Sequence, residues 1–313
     1  MKLGIVGVGA VGAAVTIASV VRGIARDIVL IDKDAARATG VAADVRYGAP
    51  LSPAVDVRAG AYADLAGASL VVLAAGINEK AGGATNRNDP LGRLRLLNTN
   101  AGVFEEIVPQ VVAAAPDATL LMVTNPPEPL VDLTRRLAGH DRVLSTSTFL
   151  DSLRFRFHLA KYFGVSPMSV EANVIGEHGT FSVFLWSSAR IGGVRLLELL
   201  ADRKIAFDEF RQSIEQEVRF ANISIIEGIG ASQYGIGMVV ARVAECIVRD
   251  ERAVMPVGSH QPRYGVTLSL PSIVGRAGVE DVLWPLLSDE EQRGVLASAE
   301  RLAGVVQTLA GAA

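Results

Sequence analysis

The sequence holds a single cysteine, Cys246, so no internal disulfide can form and no cysteine zinc cluster can be built. A reducing, cytoplasmic setting follows as the default. No apolar run reaches about 18 residues without a charge or a break, and no basic segment precedes the apolar start, so neither a membrane span nor an export signal is expected. The net charge is only −3, which leaves no electrostatic footprint for nucleic acid. The four histidines, His140, His158, His178 and His260, lack the i, i+4 pairing of a helical metal site, and no metal is expected. Internal repeats and low-complexity linkers are missing as well. What remains is a half-apolar chain of 313 residues, long enough to bury a large core without staples.

The first half alternates short apolar runs with helical stretches. Lys2 to Val8 and Asp27 to Ile31 read as buried strands, each followed by a helix, over Ala10 to Gly23 and near Ala35 to Tyr47. Leu70 to Ala74 and Thr119 to Thr124 are further strands. Their unbroken apolar character fits a parallel sheet covered on both faces, and the alternation predicts a doubly wound α/β domain of Rossmann type over residues 1–142. The second half, residues 143–313, reads as a mixed α+β domain. It has long helices over Phe149 to Phe163, from about Asp208 to Ile229, and from Asp289 to Leu309. Strands are expected at Val170 to Ile175, Phe181 to Trp186 and Arg263 to Leu270. In the second helix Phe210, Ile214, Val218, Ala221 and Ile225 form an apolar stripe.

Gly7-Val8-Gly9-Ala10-Val11-Gly12 follows the first strand and opens the first helix. Gly7 permits the tight turn, Gly9 lets the backbone approach a diphosphate, and Gly12 lets helix and strand pack closely, with the helix N-terminus facing the phosphate charge. Asp32 ends the second strand, 20 residues after Gly12, where a carboxylate can accept both ribose hydroxyls and repel a 2′-phosphate. This predicts NAD rather than NADP, although a strand-end cap also explains Asp32. Ala75 and Gly76 after a buried strand mark either a close approach to the cofactor or a tight turn. Thr124-Asn125-Pro126 ends another strand, and Asn125 there could orient a carbonyl or the nicotinamide, or simply make a turn. Asp151 and Arg154 share a helix face and, alone, read as a local ion pair. His178 stands between glycines in Gly176-Glu177-His178-Gly179, where a bent backbone aims its side chain.

These motifs, in this order and spacing, resemble the L-lactate/malate dehydrogenase family over essentially the whole chain. GEHG followed by VFLWS is closer to the lactate dehydrogenase branch and its 2-hydroxyisocaproate relatives, although Thr180 stands where an acidic residue is usual. The resemblance implies an NAD-dependent 2-hydroxy acid dehydrogenase working as a homodimer or homotetramer on a small 2-oxo or 2-hydroxy acid. It makes His178 the acid–base, with Asp151 holding one tautomer and favouring the protonated imidazole. Arg154 would grip the substrate carboxylate with a bidentate fork. Asn125 would touch the carbonyl or nicotinamide, with a cis bond to Pro126, and Ser232 would line the substrate pocket.

Residues 77–92 and their flank, rich in Gly, Asn and Asp, read as a mobile lid. Arg93 best matches the lid arginine that polarises the substrate carbonyl in the family, and also reads as a surface arginine at a helix start. Six places before it stands Arg87, which would favour a dicarboxylate; counting forward from Gly76 instead gives Glu79, which would repel one. The two counts disagree because the lid is longer than usual, and longer lids admit bulkier substrates. Arg156 matches an arginine that binds fructose bisphosphate in some bacterial relatives, but Glu171 replaces the accompanying histidine, so no activation by that sugar phosphate is expected. The alternatives are a non-catalytic NAD-binding protein and an NAD- and manganese-dependent glycosidase of the related fold, which would need Cys246 beside a histidine.

Overall fold

Unbroken apolar runs become the centre of a sheet. A computed structural model describes residues 1–89 and 92–310, with only the backbone described at Gly92, Arg93 and Ala310. Six parallel strands, β1 (Lys2–Val6), β2 (Asp27–Ile31), β3 (Asp56–Ala59), β4 (Ala68–Leu73), β5 (Thr119–Met122) and β6 (Val143–Ser145), lie in the order β6-β5-β4-β1-β2-β3. Between them run α1 (Ala10–Arg22), α2 (Ala35–Gly48), α3 (Leu97–Ala114) and α4 (Pro127–Ala138). In β4, Leu70 and Val72 enter one core, while Val71 and Leu73 enter the other. Burial on both faces is why these strands do not alternate apolar with polar residues.

The second half begins with α5 (Phe149–Phe163) and the short strands β7 (Val170–Glu171), β8 (Val174–Ile175), β9 (Val183–Phe184), β10 (Arg190–Ile191) and β11 (Val194–Arg195). It continues through α6 (Leu196–Asp202), α7 (Phe207–Ile229), α8 (Tyr234–Arg249), β12 (Ala253–Gln261), β13 (Val266–Gly275), β14 (Gly278–Val282) and α9 (Asp289–Ala310). The antiparallel run β12-β13-β14 joins the parallel sheet through Gly258 opposite Ser145, giving nine strands in one sheet. The stretch expected as one strand over Val170 to Ile175 is divided between β7 and β8, which belong to different small sheets.

The stripe along α7 holds for Phe210, Ile214 and Val218, which pack with Phe155, Leu159 and Trp186. Beyond Val218 it departs from expectation. Asn222 and Ile226 are buried, whereas Ala221 is half-buried and Ile225 exposed. A spacing of four drifts around a helix of 3.6 residues per turn, and here the drift turns Asn222 toward the site. No single helix among the described residues is long and apolar enough to cross a membrane.

Candidate active site

At the end of β1 the chain turns at Gly7 with φ of +90°, and a Cβ there would lie 2.4 Å from the Ala75 nitrogen. Only glycine meets both demands. A Cβ on Gly12 would stand 2.0 Å from the Gly7 carbonyl oxygen, so the first turn of α1 rests directly on the loop. Gly9 has nothing within 4 Å of its missing Cβ, and Gly9, Ala10 and Val11 line a cleft of about 1060 Å³. No side chain caps α1. Its first N–H groups and the positive end of its dipole are therefore offered to the cleft, and the residues present fit the diphosphate of NAD. Asp32 ties the same turn to β2: Val8 N–H donates to Oδ2 at 2.7 Å and Asp34 N–H to Oδ1 at 2.9 Å. A carboxylate has about four lone-pair positions, so capacity remains for ribose hydroxyls.

Across the cleft, the loops after β4 and β5 are fastened to each other. Thr124 Oγ1 donates to the Ala75 carbonyl at 2.7 Å. Asn100, fully buried on α3, accepts from Ile77 N–H at 2.8 Å and donates to the Asn125 carbonyl at 2.7 Å. Gly76, with φ of +147°, passes so close that a Cβ would meet Asn100 Oδ1 at 2.6 Å. Sequence reasoning did not single out Asn100. Its signal was a polar residue on the stripe of Leu97, Ala101 and Phe104, the buried face of α3.

The chemistry gathers where α5 meets the loop after β8. Asp151 and Arg154 sit one turn apart on α5, and Asp151 Oδ1 accepts from Arg154 Nη1 at 3.1 Å. Its other oxygen, Oδ2, faces His178 Nδ1 at 2.5 Å. Local ion pair and histidine orienter are thus the same carboxylate. With Nδ1 engaged, Nε2 is the nitrogen His178 has for the cleft it lines with Arg154, Ser232, Asn125 and Glu79. The His178 backbone N–H donates to Glu128 Oε1 at 3.0 Å, and the Ser147 hydroxyl donates to the same oxygen. Glu128 is 2 % exposed, and burial pushes its carboxyl above the usual range, against the opposing pull of nearby His178. In sequence Glu128 looks like an ordinary acid in the first turn of α4, and nothing distinguishes Ser147, although its φ is +37°.

The remaining candidates divide. Asn125, joined to Pro126 by a cis bond, donates from Nδ2 to Glu79 Oε1 at 2.7 Å. Arg87 is held elsewhere, with Nη1 and Nη2 on the Glu227 carboxylate of α7 at 3.0 and 2.8 Å and Nη2 on Ser224 Oγ at 3.0 Å. The Arg93 side chain lies outside the described residues. Arg156 is engaged internally, donating to the Ala172 carbonyl and Asn173 Oδ1, both at 2.8 Å. Cys246 is buried in α8, its S–H directed at the Val274 carbonyl at 3.0 Å. Among the described residues no group of three or more His, Cys, Asp or Glu is placed to hold a metal.

An oriented imidazole beside a guanidinium, at the end of an anion-cradling cleft, can exchange a proton with a carbonyl oxygen whose neighbouring carboxylate is gripped. Comparison with known proteins gives the family. Residues 1–143 match the family described as lactate/malate dehydrogenase, NAD binding domain, and residues 148–310 match its alpha/beta C-terminal domain. The L-lactate dehydrogenase of Deinococcus radiodurans is 42 % identical over 310 residues, covering 99 % of each chain. That of Thermus aquaticus is 42 % identical over 316 residues, again covering 99 % of each. The crystal structure of the minor L-lactate dehydrogenase from Enterococcus mundtii, in a ligand-bound form, superposes with a TM-score of 0.90 at 32 % identity, covering 98 % of both chains.

Proposed function

The chain belongs to the lactate/malate dehydrogenase family, and from that premise we propose that it reduces a monocarboxylic 2-oxo acid, with His178 as the acid–base. It is an NAD-dependent L-2-hydroxy acid dehydrogenase. The observation that carries the substrate reading is the contrast between two lid residues. Glu79 shares the cleft with His178 and Arg154, whereas the Arg87 guanidinium is occupied by Glu227. An anion in the same cleft repels a second carboxylate, so oxaloacetate is disfavoured.

Bound in the cleft, NADH would supply the hydride for C2 of the oxo acid. Arg154 holds the substrate carboxylate and fixes which face of the carbonyl meets the cofactor. His178, protonated, donates the Nε2 proton to the carbonyl oxygen as the C2 bond forms, giving the neutral hydroxyl; in reverse Nε2 takes that proton back. Asp151, on Nδ1, fixes the ring and stabilises the imidazolium. Asn125 is braced by Glu79, and Ser232 forms part of the substrate wall. Gly7, Gly9, Gly12, Asp32, Ala75 and Gly76 form the NAD cradle. Arg93 is the lid arginine of this reading, on the family resemblance alone. Residues 1–142 then serve as the NAD-binding part and the remainder as the catalytic part, in a cytoplasmic homodimer or homotetramer.

The test is NADH oxidation against pyruvate, 2-oxoisocaproate, phenylpyruvate and oxaloacetate. Monocarboxylates should exceed oxaloacetate in kcat/KM. Oxaloacetate well above all the others would put Arg87 in the pocket and overturn the substrate reading.

A further inference from the structure

One buried carboxyl ties together the loops after β5, β6 and β8. Glu128 stands in the first turn of α4, just past the Asn125 loop. Its Oε1 accepts from the His178 backbone N–H at 3.0 Å and from the Ser147 hydroxyl. Asn125, Ser147 and His178 all line the catalytic cleft, whereas Glu128 borders the space on the other side of His178. Ser147 holds a φ of +37°, which costs a non-glycine residue energy and is kept here with its hydroxyl on Glu128. Burial pushes the Glu128 carboxyl above the usual range, against the pull of His178 and of its hydrogen bonds. A neutral acceptor would brace the same turn without the cost of desolvating a charge.

The other ionisable groups around Glu128 have partners of their own. Across the space it borders, Arg87 pairs with Glu227, Asp89 with Arg95 and Arg219 with Glu215. Glu177 accepts from the Phe181 N–H, and Arg301 lies over the Phe181 ring. One turn along α4, Asp132 is taken by His260 and Thr267. Among the described residues the ionisable group that Glu128 touches is His178, with Asp151 on the far side at Nδ1.

We propose that Glu128 is a positioning residue for the proton transfer. As a carboxylate it clamps the His178 turn to the ends of β6 and α4 and holds Nε2 toward the substrate carbonyl; as a carboxylic acid it lets that turn slacken. The proposal rests on the reading of His178 as the acid–base and deepens it. A hydrogen bond to an ionised acceptor is about twice as strong as one to a neutral acceptor, so the charge tightens both bonds at once. Both donors meet Oε1, and a proton on Oε2 weakens them without removing either. Misplacing a reacting group by about 1 Å costs on the order of a hundred-fold in rate. Slackening therefore acts on kcat, while Arg154 on α5 and the glycine turn before α1 keep their hold on substrate and cofactor.

The experiment follows kcat for a monocarboxylic 2-oxo acid against pH in the full chain and in Glu128→Gln, Ser147→Ala and His178→Asn. NADH binding by fluorescence confirms that each variant is folded. In the unmodified enzyme kcat should climb as Glu128 ionises, in a step above the usual carboxylate range. Glu128→Gln keeps an acceptor oxygen and carries no charge. Its profile should lack the step, and its plateau kcat should fall by about ten-fold or more, with KM for the 2-oxo acid and Kd for NADH within about two-fold. Ser147→Ala strips away a donor that favours the carboxylate, so the step should persist and move to higher pH. That shift tests the proposal even if Glu128→Gln does not fold. The parent's step surviving in Glu128→Gln, or a kcat loss matched by an equal loss of NADH affinity, makes Glu128 a structural acid only. Either result overturns the proposal while an inactive His178→Asn leaves the acid–base reading intact. Turnover by His178→Asn at the parent's rate overturns that reading, and the positioning role with it.

Discussion

Asp151 serves two partners with its two oxygens, Oδ2 at 2.5 Å from His178 Nδ1 and Oδ1 at 3.1 Å from Arg154 Nη1. Its side chain is only 10 % exposed. Asp151→Asn keeps the shape and removes the negative charge beside His178 Nδ1. It should lower kcat by a factor on the order of 10²–10⁴. NADH affinity, measured by fluorescence titration, should hardly change. A loss of only a few-fold in kcat would show that His178 works without its carboxylate.

Arg87→Ala separates the two readings of the lid. The pair with Glu227 is exposed, with side-chain accessibilities of 44 and 56 %, and such pairs contribute about 1 kcal/mol at most. Removing it should change kcat/KM for monocarboxylates by no more than about five-fold. A selective, hundred-fold loss for oxaloacetate in steady-state assays would instead show Arg87 binding a second carboxylate.

Asn100→Ala should loosen both loops at once. It strips the Ile77 N–H and the Asn125 carbonyl of their partner at a fully buried position, at a cost of about 1–3 kcal/mol for each unsatisfied group. Urea unfolding should report the lost stability, and KM for NADH should rise. Unchanged stability would mean that water takes over both contacts.

Glu128 gives the fold a pH signature. Burial raises its folded-state pKa, so between the unfolded carboxylate value of about 4.3 and that higher value the native state binds more protons than the unfolded one. Its contribution to stability is therefore complete at acid pH and lost as pH rises through the window. Glu128→Gln has no proton to lose. In a urea series from pH 4 upward, the variant should gain stability relative to the parent as pH increases. A constant difference would show that Glu128 titrates normally.

Legibility followed locality. The strands β1 and β2, the helix α5 and the glycine turn were readable because each is specified within a dozen neighbouring residues. Others were not, α4 and β12 among them. Helix α4 begins at Pro127-Glu128-Pro129, which reads as loop, yet proline is tolerated in a first helical turn, where its missing N–H would have no intrahelical acceptor. Strand β12 contains Pro256 and Gly258, which demote it on pattern, and it stands because β13 pairs with it along its whole length, Pro256 facing Pro271. The expected chemistry fared the same way. Asp151 with Arg154 and Gly7 with Gly12 were visible as short spacings, whereas Glu128, Ser147 and Asn100 look ordinary in sequence.

The sequence by itself determined the Rossmann half, the glycine turn and the kind of chemistry, because periodicity and turn residues act over a few bonds. The meeting of His178 with Asp151 was implied by the family resemblance and not by any local spacing. Only the tertiary structure decided that the His178 N–H rests on a carboxyl 50 residues earlier and that Glu79 lines the cleft while Arg87 is held by Glu227. Those outcomes depend on which side chains burial and packing bring together across the fold, a competition that no local spacing records.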